Sequence, residues 1–281
     1  MEIYKTVTEV KYFIEKVKSK NKCIGFIPTM GALHKGHLSL LYDSEKKTDI
    51  SIVSIFVNPT QFNNQQDYIK YPRFFDKDIE LLRSSGCDAV FFPSEEEMYP
   101  EPDDRVFDLG YLERIMEGEF RTGHFQGVAK IVSKLFNIVN PDFAFFGQKD
   151  FQQLAIVKKL VQLMGSSVKI ISCPIVREDN GLAMSSRNQR LSAQEFDQAS
   201  IIYQTISRIP EMIHNQDLLS IKKYVKDNID GNPIFQTEYV ELVDSESLEV
   251  VRDIKNHTSI TCCVAVYCGQ VRLIDNVQIN L

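Results

Sequence analysis

Two histidines near the start of the chain have the spacing and the setting of a phosphate-binding site. His34 and His37 follow an apolar run that ends at Thr29, and Gly36 lies between them. Backbone N–H groups at a helix start lack intrahelical partners, and the helix dipole there favours negative charge. Two imidazoles three residues apart lie on one face of the first turn and can donate to one phosphate group. The segment therefore predicts nucleotidyl transfer, in which the α-phosphate of ATP is attacked and pyrophosphate leaves.

A metal site is the alternative for two close histidines, but no third ligand stands at a recognisable spacing.

Other polar segments also follow apolar runs. Lys149 would meet a phosphate as a point charge, whereas Asp150 suits a helix cap, a ribose hydroxyl or Mg²⁺ equally well. Gln61 offers a neutral donor and acceptor to a small polar substrate. The run Met184-Ser185-Ser186-Arg187-Asn188 suits either a polyphosphate or a solvated interdomain loop.

These segments need a scaffold that brings the ends of several strands together. Apolar runs predict strands at residues 23–29, 50–57, 87–93, 142–147 and 168–174. Amphipathic runs predict helices at about residues 37–47, 76–85, 125–139 and 151–164. Near-continuous apolar strands separated by helices predict a doubly wound parallel α/β sheet, Rossmann-like, with ligands bound beyond the carboxyl ends of the strands.

The pattern changes near residue 176, where strands and helices mix without βαβ regularity. A Ser192/Glu195 capping box predicts a helix to about Ile209, and a further helix is expected at 220–229. Strands are expected at 238–243, 258–267 and 271–274. We therefore predict two domains, a Rossmann-like domain over 1–175 and a smaller α+β domain over 176–281 that closes over the site.

Composition narrows the function class further. The chain has 281 residues and a net charge of −6, with no basic tail, which argues against a nucleic-acid partner. The six cysteines form no Cys-x-x-Cys pair and are expected to be reduced thiols. The amino terminus lacks the apolar core of a signal peptide, and no apolar run has membrane-spanning length. We expect a cytoplasmic enzyme without a membrane partner.

Taken together and in this order, the motifs resemble those of the pantothenate synthetase (pantoate–β-alanine ligase) family. The resemblance rests on residues 28–38, Asn58-Pro59-x-Gln61-Phe62, Tyr71-Pro72-Arg73, residues 147–153 and residues 184–188. The wider group is the His-x-Gly-His nucleotidyltransferases. Another member of that group, acting on a different small carboxylic acid, is the alternative.

The resemblance implies a two-step, Mg²⁺-assisted reaction. The carboxylate of (R)-pantoate attacks the α-phosphate of ATP to give pantoyl adenylate and pyrophosphate. The amine of β-alanine then attacks the acyl carbon to give pantothenate and AMP. The resemblance also implies a homodimer.

Roles carry over residue by residue. His34, His37, Lys149 and Arg187 would be catalytic. Pantoate would be bound by Gln61 and Gln153, with Gln61 also contacting β-alanine, and Mg²⁺ would be held mainly by the ATP phosphates, with Asp150 as a candidate ligand. The ATP site would comprise Met30, Gly31, Ala32, Leu33, His34, Lys35, Gly36, His37, Gly147, Gln148, Lys149, Asp150, Val176, Met184, Ser185, Ser186 and Arg187.

One position departs from the family pattern. Gln148 stands where the family often has Glu. If this position contacts ligand only through its backbone, the change is harmless. If a carboxylate here organises Mg²⁺ or Lys149, adenylation should be weakened.

Overall fold

The computed structural model describes residues Met1–Leu281 and divides into two compact units. The first comprises Met1–Gln148 and Gln152–Pro174, and the second comprises Lys149–Phe151 and Ile175–Leu281. The sequence assigned residues 149–151 to the first unit instead. One interaction of this segment with the rest of the second unit is a hydrogen bond from Asn276 Nδ2 to the carbonyl oxygen of Lys149 at 3.0 Å.

A six-stranded parallel sheet forms the centre of the first unit, in the order β1-β4-β3-β2-β5-β6. Its strands are β1 (Glu2–Tyr4), β2 (Ile24–Thr29), β3 (Ile50–Ile55), β4 (Ala89–Phe91), β5 (Phe143–Gly147) and β6 (Lys169–Cys173). Its helices are α1 (Val7–Lys18), α2 (Lys35–Glu45), α3 (Gln65–Ile69), α4 (Phe75–Ser84), α5 (Glu95–Met98), α6 (Glu117–Phe120), α7 (His124–Val139) and α8 (Phe151–Leu163). The predicted α/β class is confirmed.

Consecutive residues of β2 show that helices cover both faces of this sheet. Phe26 belongs to a buried cluster with side chains of α1, α7 and α8. The next residue, Ile27, belongs to another cluster, with side chains of α2 and α4. Because successive strand side chains point to opposite faces, the sheet is doubly wound.

The strand order also locates the expected ligand edge. Chain order reverses between β2 and β5, which are neighbours with Gly25 opposite Phe143. Ligands of open α/β sheets bind beyond the carboxyl ends of the strands at such a reversal. The His34–His37 motif follows β2, and Gly147 ends β5.

The second unit contains a three-stranded antiparallel sheet, in the order β7-β8-β9, and a helical layer. The strands are β7 (Phe235–Asp244), β8 (Ser259–Cys268) and β9 (Val271–Asn280). The helices are α9 (Ala193–Gln198), α10 (Ser200–Ile206), α11 (Ile209–Met212) and α12 (Leu218–Asp230). Buried aliphatic side chains such as Ile202, Val225 and Val264 join the helices to the sheet.

The structure differs from the expected elements after Ser192 and at the amino terminus. The capping box at Ser192 is present, but the single helix expected up to Ile209 is divided into α9 and α10, and α11 follows with Pro210 in its first turn. Proline lacks an N–H and cannot continue a preceding helix. β1 and α1 were not predicted, although Thr6 and Glu9 form a capping box that the sequence contains.

The cysteines form no disulfide. No helix combines the length and the apolar character that crossing a bilayer requires.

Candidate active site

His34 and His37 cap the start of α2 reciprocally. The Nδ1 atom of His34 accepts the N–H of Gly36 at 3.2 Å, and the Nδ1 atom of His37 accepts the N–H of His34 at 3.3 Å. The two rings lie with their centroids 4.1 Å apart. The sequence placed both imidazoles on one face of the first turn, and the structure agrees.

This cap determines which ring nitrogen of each histidine carries the proton. A backbone N–H can only donate, so each Nδ1 must present its lone pair. The neutral imidazoles of His34 and His37 therefore carry their protons on Nε2. Two Nε2–H donors on neighbouring rings are suited to phosphate oxygens.

Several backbone amides of the same segment donate to protein acceptors. The N–H groups of Ala32 and Leu33 donate to the carboxylate of Asp78, at 2.8 and 2.7 Å. The N–H of Gly36 donates to the His34 cap. These three backbone donors therefore already have protein acceptors.

Asp78 lies in α4 and is 2% exposed. Burial raises the pKa of its carboxyl, and the N–H groups of Leu33 and Ala32 act in the opposite direction. The turn that it holds contains two left-handed residues, Gly31 at φ +78° and Ala32 at φ +50°. A non-glycine residue is uncommon there, so the two hydrogen bonds to Asp78 stabilise an otherwise unfavourable turn.

Gln61 lies at the end of a 3-10 helix, Pro59–Gln61, and is 8% exposed. Its Nε2 donates to the sulfur of Met30 at 3.0 Å, and its Oε1 accepts from Asn58 Nδ2 at 3.2 Å. Met30 belongs to the predicted ATP segment, so the structure brings two predicted site residues into contact.

Asn58 connects this group to the rest of the first unit. Its Nδ2 donates to the carbonyl of Gly127 at 3.2 Å, and its Oδ1 accepts from the hydroxyl of Tyr99 at 2.7 Å. Burial raises the pKa of Tyr99, which keeps its hydroxyl a donor. The side chain of Asn58 does not cap the 3-10 helix, so turn formation does not account for it.

The two glutamines at the start of α8 differ in their surroundings. Gln152 is 4% exposed, and its Nε2 donates to the carbonyls of Leu112 and Ile115 at 2.7 and 2.8 Å. Gln153, the predicted pantoate residue, is partly exposed. The buried neighbour anchors the helix start from which Gln153 projects.

In the second unit, adjacent residues of β9 position two predicted ATP segments. Asn276 Nδ2 donates to the carbonyl of Lys149, whose Nζ lies 3.1 Å from Asp150 Oδ2. Asp275 accepts two hydrogen bonds from Arg177, at 2.6 and 3.0 Å. Burial raises the pKa of Asp275, and the guanidinium of Arg177 opposes that rise.

Arg177 belongs to a hairpin that brings Val176 next to Met184. Residues Arg177 and Ala183 form an antiparallel bridge, and the N–H of Met184 donates to the carbonyl of Val176 at 3.0 Å. The guanidinium of Arg177 also stacks on Tyr203, 3.5 Å from the ring centroid. Two predicted ATP residues that are eight positions apart are thereby fixed side by side.

The segment after Met184 is more regular than the open loop that its small residues suggested. Ser185 caps a 3-10 helix, Ser186–Arg190, by accepting the N–H of Arg187 at 3.2 Å. Ser186 is buried. Asn188 Nδ2 donates to the carbonyl of Ala183 at 3.1 Å. The segment is therefore held by its own hydrogen bonds.

Asp78, Gly127, Asp275 and Asn276 were not identified from the sequence as parts of the site. Each acts on a segment distant along the chain, as when Asn276 binds the carbonyl of Lys149. No local spacing signals such a contact.

A family model described as "Pantoate-beta-alanine ligase" matches residues 2–278. The chain belongs to the pantoate–β-alanine ligase family. The resemblance inferred from the motifs is thus confirmed over nearly the whole chain.

Individual members of this family are similar over their full lengths. A pantothenate synthetase of Porphyromonas gingivalis is 47% identical over 280 residues, covering 99% of each chain. One from Caldicellulosiruptor bescii is 45% identical over 282 residues, covering 100% of this chain and 99% of its own.

Solved structures agree. A pantothenate synthetase from Thermus thermophilus has a TM-score of 0.92 at 36% identity, covering 99% of each chain. A pantoate–β-alanine ligase from Francisella tularensis, described as complexed with β-γ ATP and β-alanine, has a TM-score of 0.80 at 35% identity. It covers 99% of this chain and 97% of its own.

Proposed function

We propose that this chain is an ATP-dependent ligase that joins (R)-pantoate to β-alanine, forming pantothenate, AMP and pyrophosphate through pantoyl adenylate. Family membership over residues 2–278 supports the substrates. The observation that carries the adenylation chemistry is the reciprocal cap of His34 and His37, since it puts the proton of each neighbouring ring on Nε2.

In the first step the pantoate carboxylate attacks the α-phosphorus of ATP, and the bond to the pyrophosphate oxygen breaks. Negative charge grows on the leaving oxygens. Fixed donors aimed at such charge stabilise a transition state more than the ground state. We assign this role to the Nε2–H groups of His34 and His37, with Lys149 and Arg187 supplying positive charge.

In the second step the amine of β-alanine attacks the acyl carbon, and AMP leaves with the acyl C–O bond electrons. We assign the acid substrate to Gln61 and Gln153, with Gln61 also contacting β-alanine. The buried contacts of Gln61 with Asn58 and Met30 support this assignment, because they hold its carboxamide in one orientation. The remaining predicted ATP residues would bind the ribose, adenine and phosphates.

Mg²⁺ is proposed as the accompanying cation. The chain contains no group of three or more His, Cys, Asp or Glu side chains arranged to hold a metal. This fits Mg²⁺, which commonly takes one or two carboxylates together with substrate phosphates and water. Asp150, with its side chain 45% exposed, is the carboxylate proposed to serve. The ion would neutralise phosphate charge.

A cytoplasmic location and a homodimer complete the proposal. Six cysteines without a disulfide suit a reducing compartment. The homodimer is supported by the resemblance, and light scattering of the purified protein, whose chain mass is 32.3 kDa, would test it.

The deciding experiment is pantoate-dependent exchange of labelled pyrophosphate into ATP, with Mg²⁺ and without β-alanine. We expect exchange only when pantoate is present, followed by AMP release on addition of β-alanine. A folded, ATP-binding protein that shows exchange with another small acid instead would belong to the alternative class. Absence of exchange restored by Gln148→Glu would trace the defect to that position.

A further inference from the structure

The backbone carbonyl of Gln61 is held by a buried histidine from another element. His124, the first residue of α7, lies with its Nδ1 2.8 Å from that oxygen. His124 is 5% exposed and Gln61 is 8% exposed. A buried hydrogen bond of this kind fixes the direction of the Gln61 peptide, and with it the origin of the side chain.

The surroundings of His124 allow only one neutral tautomer. The carbonyl of Gln61 can only accept, so Nδ1 carries the proton. On the other side of the ring, Nε2 lies 3.1 Å from Nη1 of Arg121, and a guanidinium can only donate. His124 is therefore the Nδ1–H tautomer, the opposite of His34 and His37.

Arg121 is itself oriented by a buried carboxylate. Its Nη1 lies 3.4 Å from Oε2 of Glu117, whose side chain is 9% exposed. The N–H of Glu117 donates to Oε1 of Gln152 at 3.0 Å. Gln152 directly precedes Gln153 in α8. A chain of hydrogen bonds thus runs from the neighbour of Gln153 to the backbone of Gln61, the other residue assigned to the acid substrate.

The backbone of α7 approaches residues 59–61 so closely that no space remains between them. A Cβ at Gly127 would lie 2.2 Å from the carbonyl oxygen of Thr60 and 2.6 Å from the Cα of Gln61. The backbones are therefore in van der Waals contact one turn after His124. Small changes in the His124 ring would be transmitted directly to the peptide of Gln61.

We propose that His124, kept in its Nδ1–H tautomer by Arg121, is a positioning residue that sets the carboxamide of Gln61 against the acid substrate. This inference rests on the proposed role of Gln61 in binding pantoate. In this inference His124 acts through Gln61 and does not itself contact the substrate.

Two substitutions distinguish the effect of the His124 hydrogen bond from the effect of the size of its ring. In His124→Asn the amide nitrogen replaces Nδ1–H as a donor, whereas His124→Phe keeps a ring and removes the donor. Pyrophosphate exchange should show a pantoate KM raised about tenfold in His124→Phe, the factor expected when a buried hydrogen bond of about 1.4 kcal/mol is lost. The ATP KM should stay within about twofold, and His124→Asn should recover most of the pantoate KM.

Gln61→Ala provides the reference for the site itself. If Gln61→Ala raises the pantoate KM and His124→Phe does not, the proposed site stands and the positioning role is wrong. If Gln61→Ala leaves the pantoate KM unchanged, the assignment of Gln61 fails and the inference fails with it. An equal rise of the pantoate KM in His124→Asn and His124→Phe would also overturn the positioning role, because the hydrogen-bond donor at residue 124 would then have no effect.

A spectroscopic measurement keeps the inference testable should a His124 variant fail to fold. Long-range ¹H–¹⁵N spectra of protein labelled in histidine distinguish the two neutral tautomers and the imidazolium. His257 also places its Nδ1 against a carboxylate, 2.8 Å from Oδ2 of Asp244, so its signal must be removed first. The exposed His214 is removed as well. In the double variant His214→Gln/His257→Gln at neutral pH we expect an Nδ1–H histidine, which is His124. A spectrum of this variant with no Nδ1–H histidine would contradict the proposal.

Discussion

The Nδ1 atom of His37 accepts the backbone N–H of His34 at 3.3 Å, so the second histidine of the motif orders the first. The reverse cap, from His34 to Gly36, closes the pair. Each imidazole thus has a capping role in the structure and, in the proposed function, a separate role toward phosphate. Nδ1 stabilises the start of α2, and Nε2 carries the N–H that is suited to phosphate.

His34→Asn should separate these roles. Asparagine is a good N-cap and retains an acceptor for Gly36, but it is too short to reach the position of Nε2. We expect an unfolding free energy within about 0.5 kcal/mol of wild type, because the cap is kept. Adenylation should fall roughly 10²–10³-fold, as when one oxyanion donor is lost. Urea unfolding and pyrophosphate exchange measure the two effects.

His34→Ala is the matched control. It should lose adenylation as His34→Asn does, and it should in addition lose about 1 kcal/mol of unfolding free energy because the helix cap is removed. His37→Ala should lose about 2–4 kcal/mol of transition-state stabilisation, by the same reasoning. Near-normal adenylation in His34→Asn would show that His34 serves only as a helix cap.

Gly127→Ala should disturb the Gln61 peptide directly. The new Cβ would overlap the backbone carbonyl of Thr60, which no side-chain rotation can relieve. We expect a loss of about 1–3 kcal/mol in the free energy of unfolding, as for overpacked cores, and a raised pantoate KM. Thermal or urea unfolding with exchange kinetics provides the measurement.

Gly231→Ala, at the end of α12, is the control for this change. Its Cβ would meet the carbonyl of Asp227 at 3.1 Å, a contact that a small adjustment can relieve. A stability loss in Gly127→Ala no larger than in Gly231→Ala would show that α7 tolerates displacement from residues 59–61.

Lys149→Ala should affect the first half-reaction selectively. The lysine is assigned to the phosphates, which have left as pyrophosphate before the amine attacks. Adenylation should fall roughly a hundredfold, the lower end for a lost electrostatic donor, while supplied pantoyl adenylate should react with β-alanine near the wild-type rate. Single-turnover assays of each half-reaction test this directly.

Lys222→Ala is a matched control in the same unit, because Lys222 also forms a partly buried ion pair, with Glu241. It should leave both half-reactions unchanged. Equal losses in both half-reactions of Lys149→Ala would contradict the assignment.

Asp244 should contribute a pH-dependent part of the stability of the second unit. Burial would raise the pKa of its carboxyl, but the N–H groups of Ser247 and Glu246 and the imidazole of His257 lower it to about 2. The unfolded value is about 3.9. Since the folded pKa is the lower one, the stabilisation is present above about pH 4 and is lost as the pH falls through about 2.

The stability advantage of wild type over Asp244→Asn should therefore shrink by about 1 kcal/mol between about pH 4 and about pH 2, after allowance for solvent screening. Urea unfolding of both proteins at several pH values measures this difference, and carboxyls common to both cancel. A difference that stays constant with pH would show that the hydrogen bonds do not depend on the charge of Asp244.

Local patterns in the sequence were sufficient for most of the parallel sheet and for the helix that begins at the histidine motif. Apolar runs located five of the six parallel strands, because buried strands such as β3 are rich in β-branched residues. The spacing of His34 and His37 placed both imidazoles on one turn of a helix. β1 was not predicted because it is three residues long, which is too short for a periodic signal.

Long-range contacts were decided only by the tertiary structure. The sequence placed Ala32 among the ATP-site residues, but it did not show that Asp78, 46 residues away, accepts the N–H of Ala32. It likewise contained both Asn276 and Lys149 without indicating that they meet across 127 residues. Periodicity and capping act over a few residues, so they determine elements and turn chemistry. The tautomer of His124 depends on Arg121 and on the carbonyl of Gln61, whose positions are set only when α7 packs against residues 59–61.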